Sequence, residues 1–369
     1  MTDSYKVVGE GSFGCIIEPS LKCQNKKISY KNKVSKVLIS KEAKNELNEY
    51  SVIGKIDKKN KYHLGKPTKC KIKKTKKALK AISRCNKLLN KYTKDKSLKK
   101  HLSDFELLIM THGGVSLKQF SGVLVSMDDT PKNREIAQKL WFQMKNIFEG
   151  ISVFQKHNIA HFDIKLHNIV YNVDKNDIKF IDFGHMGSIK DAIKKGLNSD
   201  FWLFDSAHWS YPLEVQFMNK NVFQKFSKMN SKQIDSWFNS IVGNIVSKND
   251  DDISEATNTF LHYISKYSSQ DYSENIQKKY LSGFYDFLKN SLKINKYKHI
   301  LEKSAYSVDV FSLGMSCMEL LHSSQHLIHS YIVDDFELLF YNMFNPDIEN
   351  RFSIQESLSQ FENILDKWK

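Results

Sequence analysis

Two acids, a lysine and an amide lie in one short stretch of this chain and together could transfer a phosphoryl group. The four side chains are Asp163, Lys165, Asn168 and Asp182. Asp163 could accept a proton from an incoming hydroxyl, and Lys165 could neutralise charge on the transferring phosphate. Asn168 and Asp182 offer oxygen ligands of the kind that Mg²⁺ prefers. Asp182 begins the sequence Asp-Phe-Gly, which is common by itself. The prediction therefore depends on finding all four residues in this order and at this spacing.

A glycine-rich segment near the N-terminus could cover the phosphates of a nucleotide, since glycines let the backbone come close. It has the pattern Gly-x-Gly-x-x-Gly-x-Ile and comprises Val8, Gly9, Glu10, Gly11, Ser12, Phe13, Gly14, Cys15 and Ile16. Dinucleotide-binding folds share the pattern but open a helix at the glycines. Here apolar residues flank the glycines on both sides, which predicts a strand, a turn and a strand. The alternative is an ordinary hairpin turn.

A lysine in the next predicted strand could hold these phosphates. Lys36 lies in the run Val-Ser-Lys-Val-Leu-Ile, where apolar residues flank it. The segment that follows, residues 41–56, has helical spacing and carries Glu42, Glu46 and Glu49. Glu46 fits best as the partner of Lys36 by its distance along the chain, and the other two glutamates stay open. The alternative is that Lys36 is one more solvated lysine in a lysine-rich chain.

These motifs resemble those of eukaryotic-type protein kinases. His161 begins the family pattern His-x-Asp-x-Lys-x-x-Asn, and Asp-Phe-Gly begins at Asp182. Tyr211 begins Tyr-Pro-Leu-Glu, which resembles the Ala-Pro-Glu at the end of the family's activation segment. The glycine-rich start, a Gly-Gly-Val-Ser-Leu run at residues 113–117 and the Pro-Leu-Glu are similar to kinases of nucleocytoplasmic large DNA viruses.

Three further residues match parts of the family that support the site. Asp309 resembles the acid on a buried helix that braces the catalytic loop. Glu214 resembles the glutamate that closes the activation segment, and Arg351 resembles the arginine that pairs with it. Because an unpaired buried charge is costly, the resemblance predicts that Glu214 and Arg351 form an ion pair.

The resemblance implies an α+β, bilobal protein-kinase-like fold, with a small antiparallel-sheet N-lobe and a large, mainly helical C-lobe. The implied boundaries are one kinase domain at 1–369, an N-lobe at 1–110 with a basic insertion at 58–100, a hinge at 111–114, and a C-lobe at 115–369 with a helical insertion at 215–304. Local patterns predict a strand at residues 105–110, a helix at 131–157, and two hairpin strands at 169–171 and 178–181.

The resemblance also implies an activity, that of an ATP-dependent serine/threonine protein kinase which transfers the γ-phosphate to protein hydroxyls. Lys165 favours this class, because tyrosine kinases usually lack a lysine two positions after the catalytic acid. The implied cofactors are ATP and Mg²⁺, with Mn²⁺ as an alternative metal. The implied site residues are the catalytic Asp163 and Lys165, the metal ligands Asn168 and Asp182, and Lys36 and Glu46, which bind ATP with the glycine-rich segment.

One residue of the central motif departs from the family. Phe162 stands where the family usually has an arginine that binds a phosphate on the activation segment. Without that arginine, a phosphate switch of this kind has no receptor, which predicts a kinase that is active as synthesised. The chemistry itself needs only the acid, so Phe162 does not predict an inactive protein.

The basic character of the chain is confined to one segment. Residues 58–100 hold 18 Lys or Arg and one acid, whereas the whole chain has a net charge of +15, so the remainder sums to −2. One interpretation is a patch for nucleic acid, an anionic lipid surface or an acidic protein substrate. The alternative is a solvated insertion. Only Tyr62 and Tyr92 could stack on bases there, so single-strand recognition gains no support.

Composition predicts one domain of ordinary size, since 41% hydrophobic residues can build a sizeable core. Five cysteines, an odd number without a Cys-x-x-Cys pair, favour a reducing compartment and argue against a disulfide framework or a zinc site. No apolar run approaches a membrane span, and oligomeric state stays open. The predicted location is cytoplasmic, in host cytoplasm for a viral protein, with packaging in a virion as an alternative.

A competing hypothesis from another class is a non-catalytic scaffold or virion component with a kinase fold and a basic, nucleic-acid-binding insertion. Against it, Lys36, Asp163, Asn168 and Asp182 are all present, whereas a pseudokinase has usually lost at least one of them.

Overall fold

The computed structural model divides the chain into two compact units. It describes residues 5–11, 14–93, 101–198, 211–247, 270–291 and 293–369. The first unit comprises Met1–Gly114 and Lys179–Gly184, and the second comprises residues 115–178 and 185–369. The division after Gly114 coincides with the end of the segment expected to be a hinge. The sequence did not predict that Lys179–Gly184, which carries the Asp-Phe-Gly, belongs with the first unit.

A five-stranded antiparallel sheet forms the frame of the described part of the first unit, in the order β1-β2-β3-β5-β4. The strands are β1 (Lys6–Glu10), β2 (Cys15–Glu18), β3 (Lys33–Ile39), β4 (Thr68–Cys70) and β5 (Phe105–Thr111). The strand–turn–strand predicted around the glycines and the strands predicted at Lys36 and at residues 105–110 are confirmed. β4 was not predicted.

Three helices complete the described part of the first unit. They are α1 (Ser40–Ile56), α2 (Lys76–Ile82) and α3 (Asn86–Tyr92). The helix predicted at residues 41–56 is therefore confirmed as α1, which buries Ala43, Tyr50 and Ile53. These positions recur at the spacing that brings side chains to one face of a helix.

The lysine-rich insertion is part of the core of the first unit, which the sequence did not reveal. β4, α2 and α3 all come from residues 58–100, and their apolar side chains join one buried cluster with β2, β3 and β5. Ile82 and Leu88 are fully buried, whereas lysines such as Lys73 and Lys77 are exposed. Residues 94–100 lie outside the described part of the chain. The described insertion thus has a buried apolar side and an exposed basic side.

Two disulfides cross-link the first unit, so the expectation of a chain without a disulfide framework is wrong. Cys15 is bonded to Cys85 and Cys23 to Cys70, and Cys317 is the free cysteine. Their Cα atoms lie 5.9 and 5.7 Å apart, within the range that a disulfide spans. Spacing along the chain gave no hint of these pairs, because each joins a cysteine near the N-terminus to a distant one in the insertion.

The described part of the second unit is mainly helical. Its helices are α4 (Leu117–Val125), α5 (Pro131–Lys156), α6 (Ile189–Gly196), α7 (Lys220–Phe226), α8 (Ser231–Ser247), α9 (Gln270–Ser291), α10 (Tyr297–Ser324), α11 (Ser330–Met343) and α12 (Ile354–Lys367). α10 lies at the centre of this unit, since residues 308–321 are all buried. Trp141 of α5 stacks on Phe336 of α11, with ring centroids 4.7 Å apart.

Local chemistry explains why α5 begins where the sequence predicted. The Thr130 side chain accepts a hydrogen bond from the Asn133 amide, and Pro131 occupies the first turn. Proline is well suited to that position, because it lacks an amide hydrogen that would in any case be unpaired. The helix predicted at residues 131–157 is confirmed, and it leads directly to the loop that carries Asp163.

Short strands hold that loop in the second unit. β7 (Ile159–Ala160) pairs with β10 (Gly187–Ser188), and β6 (Val115–Ser116) pairs with β8 (Ile169–Asn172). A turn follows β8 and leads into β9 (Asp177–Phe180), so the strands predicted at residues 169–171 and 178–181 are confirmed to within a residue or two at their ends.

The chain is therefore an α+β protein, with a small antiparallel sheet toward its N-terminus and a mainly helical C-terminal part. Within the described residues, no helix combines the length and the apolar character needed to cross a membrane.

Candidate active site

Lys36 and Glu46 form an ion pair inside the first unit. Lys36 Nζ lies 2.7 Å from Glu46 Oε2, and the two side chains are 16% and 12% exposed. Lys36 is on β3, paired to Ile16 on one side and to Leu108 on the other. Glu46 is on α1, the helix that follows β3 directly. Of the three glutamates that the sequence left open, Glu46 is the one that bonds Lys36.

The charge of Lys36 is stabilised by several carboxylates. Burial opposes its charged form, but the nearby carboxylates of Glu46 and Asp182 outweigh that effect, so the pKa of Lys36 is raised above its ordinary value. Lys36 is therefore a fixed cation at neutral pH. A lysine held in this way can bind phosphate oxygens as a point charge.

Glu49 lies in the same acidic neighbourhood but is not the partner of Lys36. Its burial, together with the carboxylates of Glu46 and Asp182, raises the pKa of Glu49 to about 7. This carboxyl therefore keeps its proton to a higher pH than an ordinary glutamate, which limits the accumulation of negative charge beside Asp182.

The backbone around Asp182 is held by aromatic packing. Phe183 is fully buried, and its ring meets Tyr50 of α1 edge to face at a centroid distance of 5.3 Å. The Phe180 amide donates to the Tyr62 carbonyl at 2.9 Å. Asp182 itself has a positive φ of 61°, a conformation that a non-glycine residue keeps only when its surroundings hold it.

Residues 57–63 support this segment, and sequence analysis missed them. The Asp57 carboxylate accepts hydrogen bonds from the amides of Lys61 and Tyr62 at 2.8 and 2.6 Å. His63 is buried and its ring lies edge to face with that of Phe183 at 6.3 Å. The only sequence signal was an Asp followed by a turn, which is too common to attract attention.

The glycine-rich segment is a hairpin whose backbone lies against Lys36. The Gly11 amide donates to the Gly14 carbonyl at 3.0 Å, which closes the turn. A Cβ on Gly14 would stand 2.9 Å from Lys36 Cε and 3.2 Å from the Val37 carbonyl oxygen, so any other residue here would displace the lysine side chain. Ser12 and Phe13, at the tip of the predicted phosphate loop, lie outside the described residues.

Two residues of this segment are already engaged elsewhere in the first unit. The Glu10 carboxylate accepts a hydrogen bond from the Lys87 amide at 2.7 Å, at the start of α3. The sulfur of Cys15 is bonded to Cys85. Their side chains therefore anchor the hairpin to the insertion.

Asp163, Lys165 and Asn168 converge in the second unit. Lys165 Nζ donates to both carboxylate oxygens of Asp163, at 2.8 and 2.9 Å. The Asn168 side-chain amide donates to Asp163 Oδ2 at 2.7 Å and to the Asp163 carbonyl at 2.9 Å. The Asp163 side chain is only 10% exposed, so these bonds fix its carboxylate in one orientation.

Asn168 and Asp182 each offer, within their own units, an oxygen of the kind that a magnesium ion accepts. The nitrogen of the Asn168 side chain is used toward Asp163, which leaves its oxygen as the atom available to a metal. Asp182, in the first unit, offers a carboxylate. No cluster of three or more His, Cys, Asp or Glu suited to a metal occurs in the described ranges. Mg²⁺ at phosphate-transfer sites needs none, because phosphate and water oxygens supply the remaining ligands.

Asp309 of α10 fixes the backbone just before Asp163. Its two carboxylate oxygens accept hydrogen bonds from the amides of His161 and Phe162, at 2.6 and 2.9 Å. Burial raises the pKa of Asp309, opposed by these bonds and by His161. An acid buried in a helix and used only for two backbone amides serves to hold a loop in position.

The ion pair expected between Glu214 and Arg351 is confirmed. Arg351 donates from Nη1 and Nη2 to the two Glu214 oxygens at 2.6 and 3.1 Å, and the two side chains are 1% and 0% exposed. The Ser304 hydroxyl lies 3.4 Å from the same carboxylate. The pair fixes the segment that begins at Tyr211.

No protein-family model matches this chain, and a search of curated proteins gives no match either.

Proposed function

We propose that this chain is an ATP- and Mg²⁺-dependent serine/threonine protein kinase with the bilobal kinase fold. The observation that carries the proposal is the fixed carboxylate of Asp163, which accepts hydrogen bonds from the side chains of Lys165 and Asn168, two and five residues later in the chain. The Lys36–Glu46 pair beside Asp182 and the glycine hairpin supports it independently. Two separate groups of residues thus have the chemistry that the same reaction needs.

Each side chain has a defined part in the proposed reaction. Asp163 orients the substrate hydroxyl and accepts its proton, and Lys165 offsets the charge that develops on the phosphoryl oxygens. Lys36 binds the phosphates of ATP, while Glu46 keeps its ammonium group in place. Asn168 and Asp182 would hold Mg²⁺, which when bound neutralises charge on the phosphates. Asp163 bonds Lys165 directly, so the proton acceptor and the cation lie side by side.

A lysine two positions after the acid supports transfer to serine or threonine. Lys165 belongs to the pattern that resembles serine/threonine kinases, and the buried Glu214–Arg351 pair favours a protein kinase over a small-molecule phosphotransferase, which tends to lack that pair.

A kinase-fold scaffold with a basic binding surface is the second candidate. Exposed lysines from two distant segments support it, because Lys73 donates its backbone amide to the Lys22 carbonyl at 2.9 Å and Lys26 Nζ bonds the Lys69 carbonyl. A nucleic acid or another anionic surface would be attracted to these lysines.

The experiment that tests the proposal is transfer of radioactive phosphate from ATP·Mg²⁺ to a mixture of basic and acidic proteins, followed by phosphoamino-acid analysis. Wild type should form phosphoserine or phosphothreonine. Asp163→Asn should lower kcat by about 10²–10⁴-fold and leave ATP affinity nearly unchanged, because the acid acts mainly in the transition state.

The matched control is Asp174→Asn, an exposed acid in the turn after β8, which should transfer phosphate at the wild-type rate. Equal activity of wild type and Asp163→Asn would overturn the role of Asp163. Absence of transfer by wild type, with ATP still bound, would favour the scaffold.

A further inference from the structure

Tyr211 is bonded to the residue that precedes Asp163. Its hydroxyl donates a hydrogen bond of 2.6 Å to the Phe162 carbonyl, across 49 residues of chain. Tyr211 is also three residues before Glu214, whose carboxylate is fixed by Arg351. The bond therefore connects an anchored segment to the loop that carries the proposed proton acceptor.

Phe162 is the residue at which that loop most needs support. Its φ is +57°, a strained conformation that a non-glycine residue keeps only where its surroundings hold it. The Phe162 amide donates a hydrogen bond to Asp309, and the Phe162 carbonyl oxygen accepts one from the Tyr211 hydroxyl. Its ring is buried near Gly187, where an added Cβ would stand 3.5 Å from a ring carbon. Amide, carbonyl and ring are thus each held by a different element.

The Tyr211 hydroxyl is suited to a permanent role as donor. Burial raises its pKa, and the carboxylates of Asp163 and Asp309 raise it further. The phenol stays neutral over the whole range in which a protein works, so the bond does not depend on pH.

We propose that Tyr211 is a positioning residue for Asp163. Its hydrogen bond to the Phe162 carbonyl takes the place of the contact that a phosphate and an arginine would otherwise make between the two segments. Phe162 cannot bind a phosphate. The bond from Tyr211 needs no modification, so the loop is ordered as synthesised. The inference deepens the proposed kinase function and rests on it for its kinetic part.

Tyr211→Phe tests the proposal, because it removes one oxygen and keeps the ring. Loss of a single hydrogen bond that orders the reacting carboxylate should lower kcat by about tenfold, with KM for ATP and for the protein substrate unchanged. Wild type treated with phosphatase should keep its activity. The matched control is Tyr331→Phe, since Tyr331 is 54% exposed on α11.

A second readout does not depend on activity. Amide hydrogen exchange in peptides that cover residues 161–168 should become faster in Tyr211→Phe, while peptides from α12 should exchange as in wild type. Unchanged kcat together with unchanged exchange would overturn the proposal, and loss of wild-type activity on phosphatase treatment would overturn its phosphate-free part. If wild type transfers no phosphate, the kinase function fails separately. Faster exchange would then still establish the bond as the anchor, and unchanged exchange would exclude it.

Discussion

Removing one partner of the buried pair of Glu214 and Arg351 should strongly destabilise the second unit. Arg351→Met removes both bonds to Glu214 and leaves its carboxylate, 1% exposed, with the Ser304 hydroxyl at 3.4 Å. It also removes bonds to the Asn345 carbonyl and the Ser307 hydroxyl, each 3.0 Å long. Removing one partner of a buried pair costs about 3–5 kcal/mol, because the remaining charge is uncompensated.

A double-mutant cycle measures whether the uncompensated charge causes that loss. Urea unfolding, followed by circular dichroism, would be compared for wild type, Arg351→Met, Glu214→Leu and the double variant. The double variant should recover much of the stability lost in Arg351→Met, because an apolar pair of similar volume leaves no buried charge. Glu302→Gln is the control. Its partner Lys298 is 3.8 Å away and 69% exposed, so the change should stay below about 0.5 kcal/mol.

Two outcomes would refute the reasoning. If Arg351→Met lowers the free energy of unfolding by less than about 1 kcal/mol, then water reaches the Glu214 carboxylate or the carboxylate becomes protonated. A double variant as unstable as the sum of the two single variants would mean that the two side chains act through packing and not through their charges.

Two further predictions concern the first unit. After unfolding without reductant, a thiol reagent should label Cys317 and no other of the five cysteines. Prior reduction should make all five cysteines reactive and lower the free energy of unfolding by about 3–5 kcal/mol. Five labelled thiols before reduction would contradict both disulfides. Because the folded pKa of Glu49 is about 7 against an ordinary 4.5, the folded chain keeps a proton that the unfolded chain releases, and stability falls as pH rises between these values. In metal-free protein Glu49→Gln should therefore unfold at a higher temperature than wild type at pH 8 but near the wild-type temperature at pH 5, and an equal difference at both pH values would exclude this cause.

The strands and long helices could be predicted because their signals are local. Apolar flanks predicted the two strands on either side of the glycines and a third strand around Lys36, and the helix predicted at residues 131–157 gave α5 with its first residue. Each of these strands and helices buries one face and exposes the other. Apolar residues therefore recur with a period of about two residues in a strand and 3.6 in a helix. The bilobal kinase fold and the activity stay predictions.

The three glutamates of α1 show what periodicity cannot predict. Glu42, Glu46 and Glu49 are four and three residues apart, so all three lie on the same face of α1. Periodicity indicates which face of α1 carries the partner of Lys36, but the position of Lys36 along β3 decides which glutamate on that face it reaches. That position is set by the register of β3 against β2 and β5, which is a long-range property.

The lysine-rich insertion was misjudged for a related reason. Its charge dominated the composition, and the few apolar positions between the lysines gave no sign that they belong to the core. In the structure those positions, among them Ile82 and Leu88, fill the core beside the sheet, and the cysteines are placed there by strand order. Neither the joining of β4 to β5 nor the pairing of Cys15 with Cys85 has a signature in local sequence.

The insertion and the glycine hairpin are one structural unit, which decides how each must be studied. Residues 84–88 contact both sides of the hairpin: Arg84 donates to the Tyr5 carbonyl at 3.3 Å, the Lys87 amide bonds Glu10, and Cys85 is bonded to Cys15. An isolated two-stranded hairpin is marginally stable, so these contacts help to hold the segment that would cover the phosphates. Deleting residues 58–100 would therefore damage the proposed ATP site together with any anionic surface. Replacing exposed lysines singly by glutamine keeps the buried side intact, and only changes of that kind can separate the two functions.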